Sequence, residues 1–506
     1  MLDDYLPRIL RAPVYDVARE TPLDPMPEIS RRLGTDVWLK REDLQPVFSY
    51  KLRGAYTLMA SLNEVERARG VVAASAGNHA QGVALAALRL GVRAVIVMPK
   101  TTPEIKIDAT RRLGGEVVLH GSNYDAAAEH AHQIGAEEGL TWVPPFDHPL
   151  VIAGQGTVGM EILRQHRGPL DAVYVPVGGG GLVAGIGAYL KALMPQVRII
   201  GVEPAEAPSM VAALAAGHPV RLEQVGIFAD GAAVRMVGAE CFRIAQACLD
   251  DCITVSNDEI CAAIKDIHED LRTVAEPAGA LALAGLKQQV ARGREPGKRL
   301  VAILSGANVN FDRLRHIAEL AELGEQREAL LGVRLPERPG AFRGFCEALG
   351  SRGITEFNYR YADAQEAHVF AGVRLRQGAA EREQLIAQLG ERGYPVTDLS
   401  GDELAKMHVR YMVGGHATGV VDEVVYRFEF PERPGALLHF LTRLGSHRNI
   451  SLFHYRNHGA AYGRVLVGVQ VPPADRADFA ALVDELGMVY AEETANPAYR
   501  MFLGRA

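Results

Sequence analysis

The sequence predicts an α/β protein: a large region of parallel sheets with helices on both faces, followed by two small α+β modules. Two observations carry this. Short, near-continuously apolar runs alternate with helical stretches long enough to cross over a sheet, the pattern of parallel strands buried on both sides. Further on, the chain repeats itself at a spacing of 95 or 96 residues, which marks a duplicated module. At 506 residues, roughly three domains of about 150 residues each are expected.

Composition excludes several classes. Apolar residues make up 48% and charged ones 23%, as in ordinary globular proteins. The net charge of −7 is mild and no block of like charges appears, so neither a nucleic-acid nor a membrane partner is expected. Met1-Leu2-Asp3-Asp4-Tyr5 brings early acids and no apolar core before a small-residue cleavage site, unlike a secretory signal. The most apolar windows are interrupted by Arg89, Arg93 or Lys191, so no transmembrane helix is expected. Cys241, Cys248, Cys252, Cys261 and Cys346 are odd in number and lack metal-type pairing. They read as reduced thiols of a cytoplasmic protein that holds no metal.

The elements follow in order. Up to about Glu42 the chain is proline-rich, with one short strand at Asp36 to Arg41. Ser49-Tyr50-Lys51-Leu52-Arg53-Gly54-Ala55-Tyr56 leads into a helix with Ala55, Leu58, Met59 and Leu62 on one stripe, so Lys51 falls at or near a helix N-terminus. Helix starts favour anions, and a lysine there points to an anionic or electrophilic partner. Val71 to Ala74 reads as a buried strand, then Ser75-Ala76-Gly77-Asn78-His79 opens a helix that stops at Gly91. Val92 to Met98 is the next strand, Thr102-Pro103 caps and opens another helix, and Glu116 to Leu119 is a third strand. The pattern returns with a strand at Ala172 to Val177, the tetraglycine Gly178-Gly179-Gly180-Gly181, a helix from Leu182 to about Leu193 and a strand at Val197 to Val202. Residues 230 to 291 look helix-rich, Lys298 to Leu304 supplies a last strand into Ser305-Gly306-Ala307-Asn308, and a charged linker helix follows Asp312.

The first large region is expected to span residues 1–322. Beyond it, Leu335-Pro336-Glu337-Arg338-Pro339-Gly340-Ala341 recurs as Phe430-Pro431-Glu432-Arg433-Pro434-Gly435-Ala436, and Asn358-Tyr359-Arg360 as His454-Tyr455-Arg456. Two modules are expected at 329–400 and 424–495. In the first, Val333 to Leu335, Ala341 to Leu349, Glu356 to Tyr361, His368 to Leu375, Glu381 to Leu389 and Val396 to Leu399 read strand, helix, strand, strand, helix, strand. That order is the ferredoxin-like split βαβ unit. The Arg-Pro-Gly turn at the first helix start of each copy offers free N–H groups to a carboxylate.

Chemistry concentrates in four motifs. The tetraglycine, between a strand and a helix, lets backbone approach a ligand and aims N–H groups at a phosphate; four glycines in a row have no packing purpose of their own there. A rival is local: Gly179-x-Gly181-x-x-Ala184 with Glu203 on the next strand fits a dinucleotide fingerprint, and so an NAD-dependent oxidoreductase. That assignment leaves Lys51 and Asn78 without work. Lys51 can form a Schiff base with an aldehyde cofactor, and pyridoxal phosphate is the one that also needs a phosphate cradle. Ser75-Ala76-Gly77-Asn78 offers N–H groups for a substrate carboxylate and an amide for the ring oxygen. Ser305 offers the pyridine nitrogen a neutral partner, which suits β-elimination better than transamination.

Together these motifs resemble the fold-type II pyridoxal-phosphate enzymes. With the doubled module, the chain resembles the biosynthetic threonine ammonia-lyase (threonine deaminase) family along nearly its whole length. The resemblance implies that Lys51 carries the cofactor, Asn78 contacts its ring oxygen, Gly178, Gly179, Gly180, Gly181 and Leu182 bind its phosphate, and Ser305 faces its nitrogen. It further implies a typically tetrameric enzyme that deaminates L-threonine to 2-oxobutanoate, with ACT-like modules through which isoleucine inhibits and valine relieves. In this scheme Lys51, its pKa lowered by burial, removes the substrate's α-proton. Tyr50 departs from the family, which usually has Phe before the lysine. Serine ammonia-lyase or racemase, threonine synthase and cysteine synthase share the same lysine and loop, and a non-catalytic amino-acid sensor would need only the repeats.

Overall fold

The apolar runs assemble into two sheets within the first of two compact units, Met1–Ala321; the second is Glu322–Ala506. The computed structural model describes residues 4–503 apart from 296, 325–327, 337–344, 346–347, 350–351, 353, 360–365, 376, 410–420, 432–449 and 457–461. The larger sheet is ordered β1-β2-β10-β7-β8-β9, with β1 (Leu23–Pro25), β2 (Asp36–Arg41), β7 (Ala172–Pro176), β8 (Arg198–Pro204), β9 (Asp251–Val255) and β10 (Arg299–Leu304). All neighbours are parallel except β1, which runs antiparallel to β2 at the edge. The smaller sheet is wholly parallel, β5-β4-β3-β6, from β3 (Val71–Ala74), β4 (Ala94–Met98), β5 (Glu116–Leu119) and β6 (Thr141–Trp142).

Alternation of side chains explains why these strands are apolar throughout. Val71 and Ala73 join one core with Ala55, Met59, Val83 and Ala84, from the helices Lys51–Ala60 and Asn78–Leu90. Val72 and Ala74 point the other way, into a core with Ala127 and Ala131 of the helix Tyr124–Glu138. In the larger sheet Val173, Val175 and Ile199 meet the helices Pro149–Gln165 and Gly181–Leu193 through Ile152, Val158, Val183 and Ile186.

The region 230–291 is helix-rich as expected, but an unforeseen strand, β9, divides it; at the sheet edge it buries only Ile253 and Val255 fully. One expectation needs correcting. Thr102 does not cap the helix Glu104–Arg112; Pro103 occupies the cap position and the Thr102 hydroxyl donates to the Pro99 carbonyl at 2.7 Å.

The helix Arg313–Gly324 runs across the unit boundary. In the second unit β11 (Glu328–Pro336), β12 (Ile354–Tyr359), β13 (Glu366–Arg374) and β14 (Val396–Asp398) pair antiparallel in the order β12-β13-β11-β14. β15 (Glu423–Pro431), β16 (Ile450–Arg456), β17 (Tyr462–Gln470) and β18 (Val489–Glu492) repeat that order. The helices Gly378–Glu391 and Arg476–Glu485 pack on their respective sheets through Leu385 and Leu389, and through Phe479 and Val483. The turns Arg338-Pro339-Gly340 and Arg433-Pro434-Gly435, Cys346 and most of the expected helix 341–349 lie outside the described residues. A further helix follows each copy, Glu403–Met407 and Pro497–Phe502. Phe502 meets Phe370 of β13 edge to face at 5.6 Å, and Met501 lies over Gly332 of β11. The helix after the second copy thus covers the first copy's sheet.

Candidate active site

Lys51 is the first residue of its helix, after Tyr50 at the cap. Close backbone approaches hold that helix in place. A Cβ at Gly82, on the Asn78 helix, would lie 3.0 Å from the Leu52 nitrogen, and one at Gly154 would lie 2.5 Å from the Arg53 carbonyl oxygen. Arg53, two residues past Lys51, is fully buried. Its guanidinium donates to Glu42 at 2.8 Å twice, to Glu161 at 2.6 and 3.0 Å, and to Thr157 at 3.0 Å. Lys40 donates to Glu161 at 2.6 Å and Gln165 at 3.0 Å. Two buried cations thus face two buried carboxylates directly beneath the lysine's helix.

The Lys51 amine donates to the Pro145 carbonyl at 3.0 Å and lies 5.5 Å from the centre of the Tyr50 ring. Burial disfavours its charged form and brings its pKa down to about 8, against a smaller upward pull from Cys241 and Glu276. His79 close by donates to the Val143 carbonyl at 2.9 Å, and burial with the Lys51 charge pushes it down to about 3, so its ring is neutral.

Phe146, next to Pro145, connects this lysine to the tetraglycine. A Cβ at Gly179 would enter the Phe146 ring at 2.2 Å, and one at Gly181 would meet its backbone at 3.2 Å. Gly178 lies against Ala232, and Gly180 has φ +94° with Cys241 and Met210 at its back. The four glycines therefore do serve packing, contrary to the expectation from sequence: helix Gly181–Leu193 is approached from three sides at its start. Its first-turn N–H groups have no helical acceptor and remain suited to an anion.

Asn78 stands at the start of its own helix. Its Nδ2 donates to Glu276 Oε1 at 2.5 Å, and its Oδ1 accepts from Asn308 Nδ2 at 2.7 Å. Ser305 follows β10; its hydroxyl donates to the Ala278 carbonyl at 3.3 Å, and its own carbonyl accepts from the Tyr50 N–H at 3.3 Å. Ser49 bridges Gly306, so the Ser305 and Lys51 motifs are adjacent. Ser75 Oγ accepts from Gly77 N–H at 3.2 Å, and nothing lies within 4 Å of a Cβ built on Gly77. The chain thus brings these motifs close together.

Glu203 serves elsewhere. Its carboxylate accepts from Ser209 Oγ at 3.2 Å, Met210 N–H at 2.7 Å and Val211 N–H at 2.9 Å, closing the start of helix Ser209–Ala216. Fully buried against that helix start, it is out of reach of a ribose. Glu276 carried no signal in the sequence, since Glu-Pro at a helix start reads as a plain cap. Among the described residues no cluster could hold a metal ion, and no helix is long and apolar enough to cross a membrane.

A half-buried lysine amine of lowered pKa, an anion-ready helix start and an oriented amide fit pyridoxal phosphate. The family described as pyridoxal-phosphate dependent enzyme matches residues 14–306, and the C-terminal regulatory domain of threonine dehydratase matches twice, at 319–409 and 414–503. The biosynthetic L-threonine dehydratases of Escherichia coli (strain K12) and Salmonella typhimurium are each 56% identical over 99% of this chain and 97% of their own. The chain belongs to the biosynthetic threonine dehydratases. As a member of that family it is a pyridoxal-phosphate-dependent lyase with a repeated regulatory domain. Among solved structures, the processed form of threonine deaminase isoform 2 from Solanum lycopersicum is 51% identical. It covers 63% of this dehydratase and 93% of its own chain at a TM-score of 0.62.

Proposed function

We propose that this chain converts L-threonine to 2-oxobutanoate and ammonia, the first step of isoleucine biosynthesis, as a cytoplasmic homotetramer inhibited by isoleucine and relieved by valine. The observation that carries the proposal is one chain joining the Lys51 pocket to a twice-repeated regulatory domain. Lys51 holds the cofactor, Asn78 its ring oxygen, Gly178 to Leu182 its phosphate and Ser305 its nitrogen, with the Ser75 to Gly77 turn receiving the substrate carboxylate.

When bound, pyridoxal phosphate supplies an aldehyde for the substrate amine and a ring that accepts the electron pair of the α-carbon. The chain's residues do the rest. The Lys51 amine would take the α-proton, and its pKa of about 8 keeps part of it neutral near physiological pH. The Ser75 to Gly77 turn and the Asn78 amide would hold substrate and ring in register, and the Ser305 hydroxyl would offer the ring nitrogen a neutral partner. An extra methyl is worth only about 1–3 kcal/mol, so pocket size around the β-carbon decides threonine against serine within that range. An effector at the repeats acts by binding two states of the enzyme with different affinity.

The test is an absorption spectrum of the purified protein followed by a 2-oxo-acid assay, with and without isoleucine. A visible cofactor band that responds to threonine, with 2-oxobutanoate formation suppressed by isoleucine, is expected. Substantial turnover in Lys51→Ala would overturn the assignment of the lysine. Isoleucine inhibition that survives deletion of everything after residue 324 would remove the repeats from regulation.

A further inference from the structure

Glu276 has no part in the steps above, yet it is buried in the pocket wall with only 4% of its surface exposed. It occupies the cap position of helix Pro277–Ala291 but makes no side-chain cap bond to it. Its carboxylate turns instead toward Asn78 and Asn308. Oε1 accepts from Asn78 Nδ2 at 2.5 Å and Oε2 from the Asn308 N–H at 3.1 Å. Asn308 Nδ2 donates both to Asn78 Oδ1 at 2.7 Å and to the Val47 carbonyl at 2.8 Å. The network settles the Asn78 amide: its nitrogen faces an acceptor, its oxygen faces a donor, and one Nδ2 hydrogen is left over. A Cβ at Gly306 would lie 2.5 Å from Glu276 Oε1. The carboxylate therefore sits on the wall between the residues assigned to the ring oxygen and the ring nitrogen.

We propose that Glu276 is the counter-charge and positioning residue of this pocket, aiming the Asn78 amide at the cofactor's ring oxygen and holding the proton on the nitrogen that joins Lys51 to the cofactor. This rests on the roles given above to Lys51 and Asn78. Charged and titratable groups face Glu276 from every side. Asp230 approaches on the 230–232 turn, paired with Lys106 of helix Glu104–Arg112 at 2.6 Å and with Arg313 at 3.7 Å; Tyr50 and Lys51 approach from the lysine's helix. Burial, then Asp230, raises the carboxyl to about 7, while Asn78, Lys106 and the Asn308 N–H pull it back. A cation formed on the linking nitrogen pulls it lower, so the loaded enzyme carries it ionised. The sign follows: an anion beside that nitrogen raises the nitrogen's pKa, and its removal lowers it.

The experiment follows the visible absorption band of the pyridoxal-phosphate-loaded enzyme against pH, with cofactor affinity measured separately by fluorescence titration of the apoenzyme. In Glu276→Gln the midpoint of the band falls by about 1–3 pH units relative to wild type, and the affinity weakens. Glu276→Asp, which keeps the charge one methylene further away, falls by less. Asn308→Ala loosens the amide but keeps the charge, so its affinity weakens while the midpoint stays within about half a unit. A band present in wild type and unmoved in whichever Glu276 variant loads the cofactor overturns this proposal alone. A wild type without any such band overturns the role of Lys51, and this proposal with it.

Discussion

Replacing Arg53 by Met tests what holds the lysine's helix in place. The substitution keeps much of the apolar volume but deletes a cation that is fully buried between Glu42 and Glu161. Four charge-assisted bonds of 2.6 to 3.0 Å to those carboxylates go with it. Lys40 then faces two buried carboxylates alone, and the cluster changes from balanced to net negative. Breaking a buried ion pair from one side costs about 3–5 kcal/mol. Unfolding entropy is roughly 2.1 cal/mol/K per residue, so for a unit of Met1–Ala321 that cost converts to a fall in Tm of about 4–8 °C. Scanning calorimetry of the cofactor-loaded enzyme at a fixed scan rate reads it. Adding Glu161→Gln to Arg53→Met restores the charge balance, so the double variant is less destabilised than the sum of its parts. A fall below about 2 °C for Arg53→Met, or strict additivity in the double variant, would refute this account of the cluster.

Three further outcomes are expected. The neutral Lys51 amine is the form that captures the cofactor aldehyde, and burial lowers its pKa from 10.5 to about 8; stopped-flow capture of pyridoxal phosphate by the apoenzyme therefore speeds up with rising pH and levels off above about pH 8, whereas a midpoint near 10 would mean an ordinary exposed lysine. Gly180→Ala places a side chain at φ +94° with Cys241 and Met210 at 3.0 Å; strain of about 1–2 kcal/mol lowers cofactor affinity roughly tenfold, and an unchanged affinity in an equilibrium titration contradicts it. Phe502→Ala empties a site 2% exposed at a cost of about 3–5 kcal/mol; the calorimetric transition of the second unit falls while that of the first stays put.

Burial decided what the sequence disclosed. β3, β4, β7 and β10 are covered on both faces, so Val-Val-Ala-Ala and its counterparts announce themselves as uninterrupted apolar runs. β9 is an edge strand carrying Asp251 and Cys252, and nothing in its pattern separates it from the helices around it. The copied Pro-Glu-Arg-Pro-Gly-Ala words revealed the two modules, but the helices Glu403–Met407 and Pro497–Phe502 share too few residues to be read as a pair. At the candidate site, Lys51, Asn78, Ser305 and the tetraglycine could be singled out because each lies in a local strand-to-helix context. Glu276 and Arg53 act on partners 198 and 108 positions away, and no local pattern records such a meeting. Glu203 shows the converse: its spacing after the glycines imitates a ribose ligand, while its oxygens are taken by a helix a few residues on.

The seating of Phe502 on Phe370 imposes an order of events on the ribosome. The first regulatory module is fully translated once Leu399 has been added, but the helix that covers its sheet ends at Phe502. At about 5–20 residues per second, the intervening stretch takes on the order of 5–20 s to translate. The unit bearing Lys51 can close during that time, whereas the first module waits without the ring that packs on Phe370, a residue buried in the finished fold. That nascent surface is where a chaperone would bind, and slowing translation between the two repeats would lengthen its exposure.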